Sequence, residues 1–311
     1  MINNFIEKTS YGLYCSQGDF YLDPKRSVSS ALISHAHGDH AVSTKGIVYC
    51  TQPTKSFMKV RFGVKLTAEF IPVEFEKTFS INGIAITFYP AGHILGSAQI
   101  LMEYEGVKYL YTGDFKTQDD DSCEPFQFVA CDHLITETTF ASPEYSHPDP
   151  VEEIKLLLQE NKKVIIGAYA LGKAQRLTRL ILKHVPDVKV FIHPELESYH
   201  DLYAHHGYSL GDWQKYRRND FENSEKAVFL VPPSYFRRMP NNENILRVFA
   251  TGWKRSFYRC DKVLSISDHA DWLGVLEMIR FTNAKNIYTV HGNGVFLKEH
   301  LKDNIQVTVI G

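Results

Sequence analysis

Ser34-His35-Ala36-His37-Gly38-Asp39-His40 packs three imidazoles and one carboxylate into a single short run. Side chains of these types at this density can hold a divalent cation. Zinc suits the mixture best, with manganese or iron as alternatives. Where the backbone of an H-x-H stays extended, its two rings point the same way, because side chains alternate with period two. His35 and His37 can therefore grip one ion. Gly38 lets the chain turn sharply. Asp39 and His40 then face elsewhere, where they can serve a second ion. The competing explanation is a polar loop with a chance gathering of histidines. Four ligand-type side chains directly after an apolar run are hard to account for by packing.

That apolar run, Val28 to Ile33, reads as a buried strand, so the cluster sits on a loop at a strand's C-terminal edge. Four further polar residues share the placement. His93 follows Ile84 to Tyr89, and Asp114 follows Val107 to Tyr111. His269 follows Val263 to Ile266, and His291 follows Ile287 to Val290. Loops at one sheet edge hold polar groups on a rigid base. Any one of these residues alone reads as a hydrogen-bonded loop side chain. All of them beside the His35 cluster read as one site. His133, His147, His184, His193, His200, His205, His206 and His300 lack that context and read as structural or solvated.

The elements that must position these groups fall into three stretches. The first third is strand-rich. It carries two hairpin signals: Asn82-Gly83 between alternating runs, and Glu105-Gly106 between Ala98–Tyr104 and Val107–Tyr111. A helix is expected over Pro53 to Phe62. From Pro143 the character changes. Helical spacing at 151–159, 172–184 and 196–203 alternates with strand-like runs at 163–169, 188–192 and 227–231, the pattern of a parallel αβ unit. Ile245 to Ala250 then leads back to a last alternating stretch. The expected domains are 1–145 with 250–311, and an inserted αβ subdomain at 146–249.

At 311 residues the chain is long enough for one large or two ordinary cores. The net charge of −2 excludes a polycation, so a nucleic-acid partner would need a local basic patch or metal ions. Five scattered cysteines without a C-x-x-C fit reduced thiols better than a disulfide framework. The start, Met1 to Phe5, does not look like a signal peptide, and no stretch is apolar and long enough to span a bilayer. A cytoplasmic location with no membrane partner is expected.

His35-Ala36-His37-Gly38-Asp39-His40 with His93, Asp114 and His291 resembles the metallo-β-lactamase superfamily. The resemblance implies an α/β fold, the αββα sandwich, and two zinc ions, with manganese as an alternative. It implies that His35, His37 and His93 hold one ion, that Asp39, His40 and His291 hold the other, and that Asp114 bridges them. Ile135 to Phe140, Ser265 to Asp271 and Thr289 to Gly292 are similar to motifs of the β-CASP nucleases, and 168–176 is similar to a segment of their insertion. Gly12 to Cys15, Gly18 to Pro24 and Asp268 to Trp272 look like the short bacterial group of ligase-associated DNA damage response exonucleases. The family cuts DNA or RNA phosphodiesters. The implied substrate is single-stranded DNA or RNA, with DNA favoured, and the implied partners are DNA ligase and helicase repair machinery. The KH, DNA-repair and C-terminal appendages of larger relatives are absent from this sequence.

The resemblance makes Asp39, His269 and Glu137 the catalytic candidates. His269 lies outside the ligand set and could give the leaving oxygen its proton. Glu137 could orient that ring and favour its protonated form, or form a structural salt bridge. Asp268 and Asp271 read as supports of the site or as caps of the helix at Trp272. Lys173, Arg176 and Arg179 lie on one helical surface and could receive a phosphate. Arg237, Arg238, Lys254, Arg255 and Arg259, interleaved with Trp253, Phe257 and Tyr258, suit a single strand or form a solvated face. Lys173, Arg176, Lys254 and Arg255 are the substrate-binding candidates. Rival readings are a thioester or lactone hydrolase, which would share the metal motif alone, and a non-catalytic subunit, which would be expected to lack ligands.

Overall fold

The alternating first third folds into two sheets. In the computed structural model, which describes residues 2–159, 163–240 and 242–310, the first sheet contains β1 (Ile6–Thr9), β2 (Gly12–Cys15), β3 (Phe20–Leu22), β4 (Ser30–Leu32), β5 (Ile47–Thr51) and β6 (Glu69–Val73), in that spatial order. β1 to β3 are antiparallel, and β3 to β6 are parallel. α1 (Gln52–Phe62) connects β5 to β6 and packs against both. The Thr51 hydroxyl caps it by accepting from the Thr54 N–H at 3.3 Å, with Pro53 in its first turn.

Two hairpins start the second sheet: β7 (Phe79–Ile81) with β8 (Ile84–Pro90), and β9 (Ala98–Tyr104) with β10 (Val107–Tyr111). Their turns take positive φ at both residues, 48° and 83° at Asn82-Gly83, and 49° and 78° at Glu105-Gly106. That geometry matches the twist of the flanking strands. β11 (His133–Thr138) joins β10 in parallel.

The alternating middle builds a separate parallel sheet. Its elements are α2 (Pro150–Leu157), β12 (Lys163–Gly167), α3 (Lys173–His184), β13 (Lys189–Ile192), α4 (Pro194–His205), β14 (Gln214–Lys215), α5 (Arg218–Glu222), β15 (Ala227–Val231), α6 (Pro233–Arg238), β16 (Ile245–Thr251) and β17 (Lys262–Ser265). The strand order is β14-β13-β15-β12-β16-β17, and every pairing is parallel. α7 (Trp272–Thr282), β18 (Asn286–Gly292), α8 (Val295–Leu301) and β19 (Gln306–Val309) then return to the second sheet, in the order β19-β18-β11-β10-β9-β8-β7.

The chain thus divides into two compact units. One comprises Met1–Asp119, Cys123–Ser146 and His269–Gly311; the other comprises Asp120–Ser122 and His147–Asp268. The second crossing lies after Asp268, beyond the expected 249/250 boundary. Strand pairing is the reason: β16 adds beside β12 and β17 beside β16, so both belong to the inserted sheet.

In the first unit, Leu13, Phe20, Leu22 and Leu32 of the first sheet meet Ile86, Phe88, Ile100 and Met102 of the second. The second sheet also packs Leu101, Leu110, Leu134 and Ile287 with Val275, Met278 and Ile279 of α7 and Leu297 of α8. The five cysteines are free thiols. No helix among the described residues is long and apolar enough to cross a membrane.

Candidate metal centre

β8, β10, β11 and β18 run in one direction through the second sheet, so their C-terminal ends share an edge. His93 and Asp114 follow β8 and β10, while Glu137 and His291 lie in the last residues of β11 and β18. The first sheet contributes the 34–40 loop. The Ala98 N–H donates to the Ser34 carbonyl at 2.9 Å, which ties that loop to the start of β9. Gly113 (φ +55°) permits the close approach of the chain after β10, for a Cβ there would sit 2.6 Å from the Ser34 Cβ.

The sequence-derived ligand candidates converge. The ligand atoms of His35, His37, His93 and Asp114 lie within 4.8 Å of one another. His37 Nδ1 is 3.0 Å from His93 Nε2. Asp114 Oδ2 lies 3.6 Å from His35 Nε2 and 3.8 Å from His93 Nε2. The other oxygen, Oδ1, lies 3.2 Å from His40 Nε2. Asp39 Oδ2 is 3.8 Å from His40 Nε2, and the His291 ring is centred 4.8 Å from the His40 ring. Asp114 thus reaches both groups, one oxygen to each. Asp39 is largely exposed, unlike His35, His40, His93 and Asp114.

This donor set fits a cation. His35 Nε2 and His40 Nε2 are buried and neither makes a well-aligned hydrogen bond, the Asp114 oxygens standing 3.6 and 3.2 Å away, an arrangement that costs free energy unless something satisfies it. Burial, with His40 beside it, holds the His35 pKa well below the ordinary value, so that ring is neutral and a competent ligand. Burial opposes charge on His40 too, yet Asp114 and Asp23 carry its pKa well above the ordinary value. Burial likewise opposes charge on Asp114, and the neighbouring His40, His269 and His35 hold its pKa well below the ordinary value. The carboxylates draw positive charge into the cluster, the role a metal ion would fill.

Asp23 joins the cluster without being singled out by the sequence. It sits after β3 with φ 40° and is 6% exposed. Its Oδ2 lies 2.7 Å from His40 Nδ1 and accepts from the Tyr111 hydroxyl at 2.9 Å, while Oδ1 accepts from the Ser34 N–H at 2.7 Å. The Ser34 hydroxyl also donates to Asp23. Fixing Nδ1 in this way turns His40 Nε2 toward Asp114. Orientation of a ligating imidazole by a carboxylate is recurrent in metal sites. The available signal was a carboxylate between a strand-like run and Pro24, which alone is weak.

His269 Nδ1 lies 2.9 Å from both Glu137 oxygens and 4.0 Å from Asp114 Oδ2. Glu137 is buried. It accepts from the Phe115 N–H at 2.9 Å and from the Thr139 hydroxyl at 2.5 Å. The His269 side chain keeps 25% exposure, so it reaches solvent where Glu137 does not. Asp114, Glu137 and His269 are also close enough to share a cation. Asp271 caps α7 by accepting from the Gly274 N–H at 3.0 Å.

Two substrate-grip candidates are placed otherwise than expected. Lys173 and Arg176 are only 3% and 1% exposed, not on an open helical surface. Lys173 Nζ donates to the Ile266 carbonyl at 2.6 Å and lies 3.1 Å from Asp268 Oδ1. Arg176 donates to the Ser267 carbonyl and pairs with Asp268 at 3.5 Å and Asp120 at 3.2 Å. Within the second unit, both cations pin the segment after β17. Lys254 and Arg255 are exposed on the loop after β16.

Comparison with known proteins adds to this geometry. The "Probable DNA ligase" of Opitutus terrae is 30% identical over 316 aligned positions, covering 95% of this chain and 30% of that protein. Endoribonuclease YSH1 of Yarrowia lipolytica is 31% identical over 57% of this chain and 25% of its own length. An RNase J-like protein of Methanocaldococcus jannaschii is 31% identical over 53% of this chain and 46% of its own. The chain therefore spans less than half the length of these relatives. Among solved structures, a protein of unknown function from Enterococcus faecalis V583 matches with a TM-score of 0.63 at 14% identity, over 90% of this chain and 78% of that one, a likeness of fold. No family model matches the chain. With the relatives' names, the motifs in order and the converging side chains together, the chain belongs to the β-CASP nucleases of the metallo-β-lactamase superfamily, and its likeness to the ligase-named protein fits the ligase-associated group.

Proposed function

We propose that the chain is a metal-dependent nuclease that hydrolyses phosphodiester bonds of single-stranded nucleic acid. Its first substrate is DNA, shortened from an end during repair, in the cytoplasm beside ligase and helicase machinery. The first unit is read as the αββα sandwich and the second as the β-CASP-like insertion. His35, His37 and His93 would hold one zinc ion, and Asp39, His40 and His291 a second, with Asp114 shared; manganese is the alternative. Bound divalent cations lower the pKa of water to about neutral and neutralise charge on a phosphate.

The chain's own residues supply the rest. Asp23 holds Nδ1 of His40 and thereby aims Nε2. Glu137 holds Nδ1 of His269, which leaves Nε2 as the ring atom that gives the leaving oxygen its proton. Asp39, exposed 3.8 Å from His40 Nε2, is the carboxylate that would join His40 and His291 on the second ion. The observation that carries the reading is the His269–Glu137 pair, whose Nδ1 stands 4.0 Å from the Asp114 carboxylate amid the ligand cluster.

The test is metal-loaded protein on end-labelled single-stranded DNA and RNA, with His269→Ala alongside. Shortening of DNA that chelation abolishes is expected, with a loss of about 10²–10⁴-fold in the variant. Full cleavage by His269→Ala would remove the proton donor. RNA is the second reading, favoured by the endoribonuclease and RNase J-like names of the relatives. Preferential RNA cleavage would select it.

A further inference from the structure

The second unit contains a cavity that the reading above leaves unused. The last turn of α6, the start of β16 and the loop between β16 and β17 enclose about 600 Å³, lined in part by Arg237, Arg247, Arg259, Phe257 and Tyr258. Arg247 lies near the start of β16, so the cavity sits toward the amino-terminal end of these parallel strands. Within this unit, that is the opposite edge from Ser267 and Asp268.

Charge is concentrated there. Residues 237–262 contain seven Lys and Arg against two carboxylates, an excess of five in a chain of net charge −2. Arg237 and Arg259 are exposed, and no carboxylate pairs with either among the described residues. Arg247 forms the floor. It is 6% exposed, donates from Nη2 to the Phe236 carbonyl at 2.9 Å, and holds its guanidinium 4.8 Å above the Phe236 ring. Tyr258 packs against Phe249 at a tilt of 32° with ring centres 4.4 Å apart, which fixes the wall. Phe257, beside it, is 90% exposed. A bare phenyl beside the exposed guanidiniums of Arg237 and Arg259 matches what a single strand offers, phosphates for the cations and a base face for the ring. An acidic peptide would use the cations and leave Phe257 without a partner.

We propose that this cavity binds a nucleotide segment of single-stranded nucleic acid, with phosphates on Arg237 and Arg259 and a base on Phe257. Lys254 and Arg255 flank it without lining it. The proposal rests on the reading of the chain as acting on nucleic acid, and its test is independent of cleavage. Binding of a labelled oligothymidylate of roughly ten nucleotides is read by fluorescence anisotropy with metals chelated. Arg237→Ala/Arg259→Ala is expected to weaken binding about tenfold or more and to reduce the salt slope by about 1.4, the value for two phosphate contacts on a single strand. Phe257→Ala is expected to weaken it by about fivefold to a hundredfold at an unchanged slope, as loss of one stacked base does. Arg218→Ala, on an exposed helix where that residue pairs with Glu222, should bind as the parent does. Urea midpoints equal to the parent's show that each variant is folded. Parent-like binding by both cavity variants overturns the proposal, as does equal displacement of the oligonucleotide by polyglutamate, which would assign the cavity to an acidic peptide. If the parent cleaves single strands but does not bind this probe, the cavity assignment alone fails. If it binds without ever cleaving, only the nuclease reading fails.

Discussion

His40 Nδ1 lies 2.7 Å from Asp23 Oδ2, and this contact decides which ring nitrogen of His40 faces the ligand cluster. Asp23→Asn keeps the shape and removes the charge. Metal affinity should fall about 10- to 100-fold, the range for losing a carboxylate behind a ligating histidine. Competition against a chromophoric chelator measures it, and unchanged affinity would mean that Asp23 serves only the Ser34 and Tyr111 contacts.

Glu137 and His269 should act as a unit. Glu137→Gln is expected to slow turnover by about tenfold or more, His269→Ala by about 10²–10⁴-fold, and the double variant scarcely more than His269→Ala alone. Metal content by elemental analysis should stay at the parental level throughout. Additive losses in the double variant would separate the two residues.

Cation binding should be visible in stability. At a free concentration one hundred times Kd, a bound ion adds about 2.7 kcal/mol. Scanning calorimetry should show a higher Tm for zinc-loaded than for chelated protein. His35→Ala and His93→Ala should abolish the rise. A parental Tm indifferent to zinc would contradict the metal centre.

His200 gives the second unit a pH dependence. Its ring is buried, with Nε2 2.9 Å from the Thr178 hydroxyl and Nδ1 3.0 Å from the Leu196 carbonyl, and burial lowers its pKa from 6.5 to about 4. The unfolded chain therefore takes up the proton first. The stabilising contribution is complete above about pH 6.5 and is lost as pH falls toward about 4, a total of ~3 kcal/mol. His200→Gln should flatten the urea midpoint between those pH values. A slope identical to the parent's would assign the acid sensitivity to other groups.

Arg176→Met should be costly. It takes one cation from Asp268, which keeps Lys173, and from Asp120, which keeps Ser122, and losing a charged partner at such buried groups costs ~1–3 kcal/mol. Urea denaturation reads the loss, and a change below about 1 kcal/mol would place Arg176 among exposed ion pairs.

The local features were legible because their physics is local. Asn82-Gly83 and Glu105-Gly106 signalled hairpins through turn chemistry, and 34–40 signalled a gathering of ligand-type side chains through residue type. What depends on partners distant in sequence was hidden. Lys173 and Arg176 read as a phosphate grip because cations are mostly solvated, and nothing near them in sequence points to Ile266, Ser267 and Asp268. β17 read as part of the returning domain because its parallel pairing to β16, Thr251 opposite Ser265, leaves no turn signature. Asp23 lies within the Gly18 to Pro24 motif but carries no local sign of its role, because its partners Ser34, His40 and Tyr111 come from other segments.

The donors of the cluster arrive in a fixed order during synthesis: His35 to His40 first, then His93 and Asp114, and His291 only after the entire second unit. A nascent polypeptide stalled before Asn286 holds only part of this candidate donor set. The ring of candidate donors therefore closes only when β18 has been made, and a chain stopped short of it should take up a divalent cation more weakly than one that contains His291.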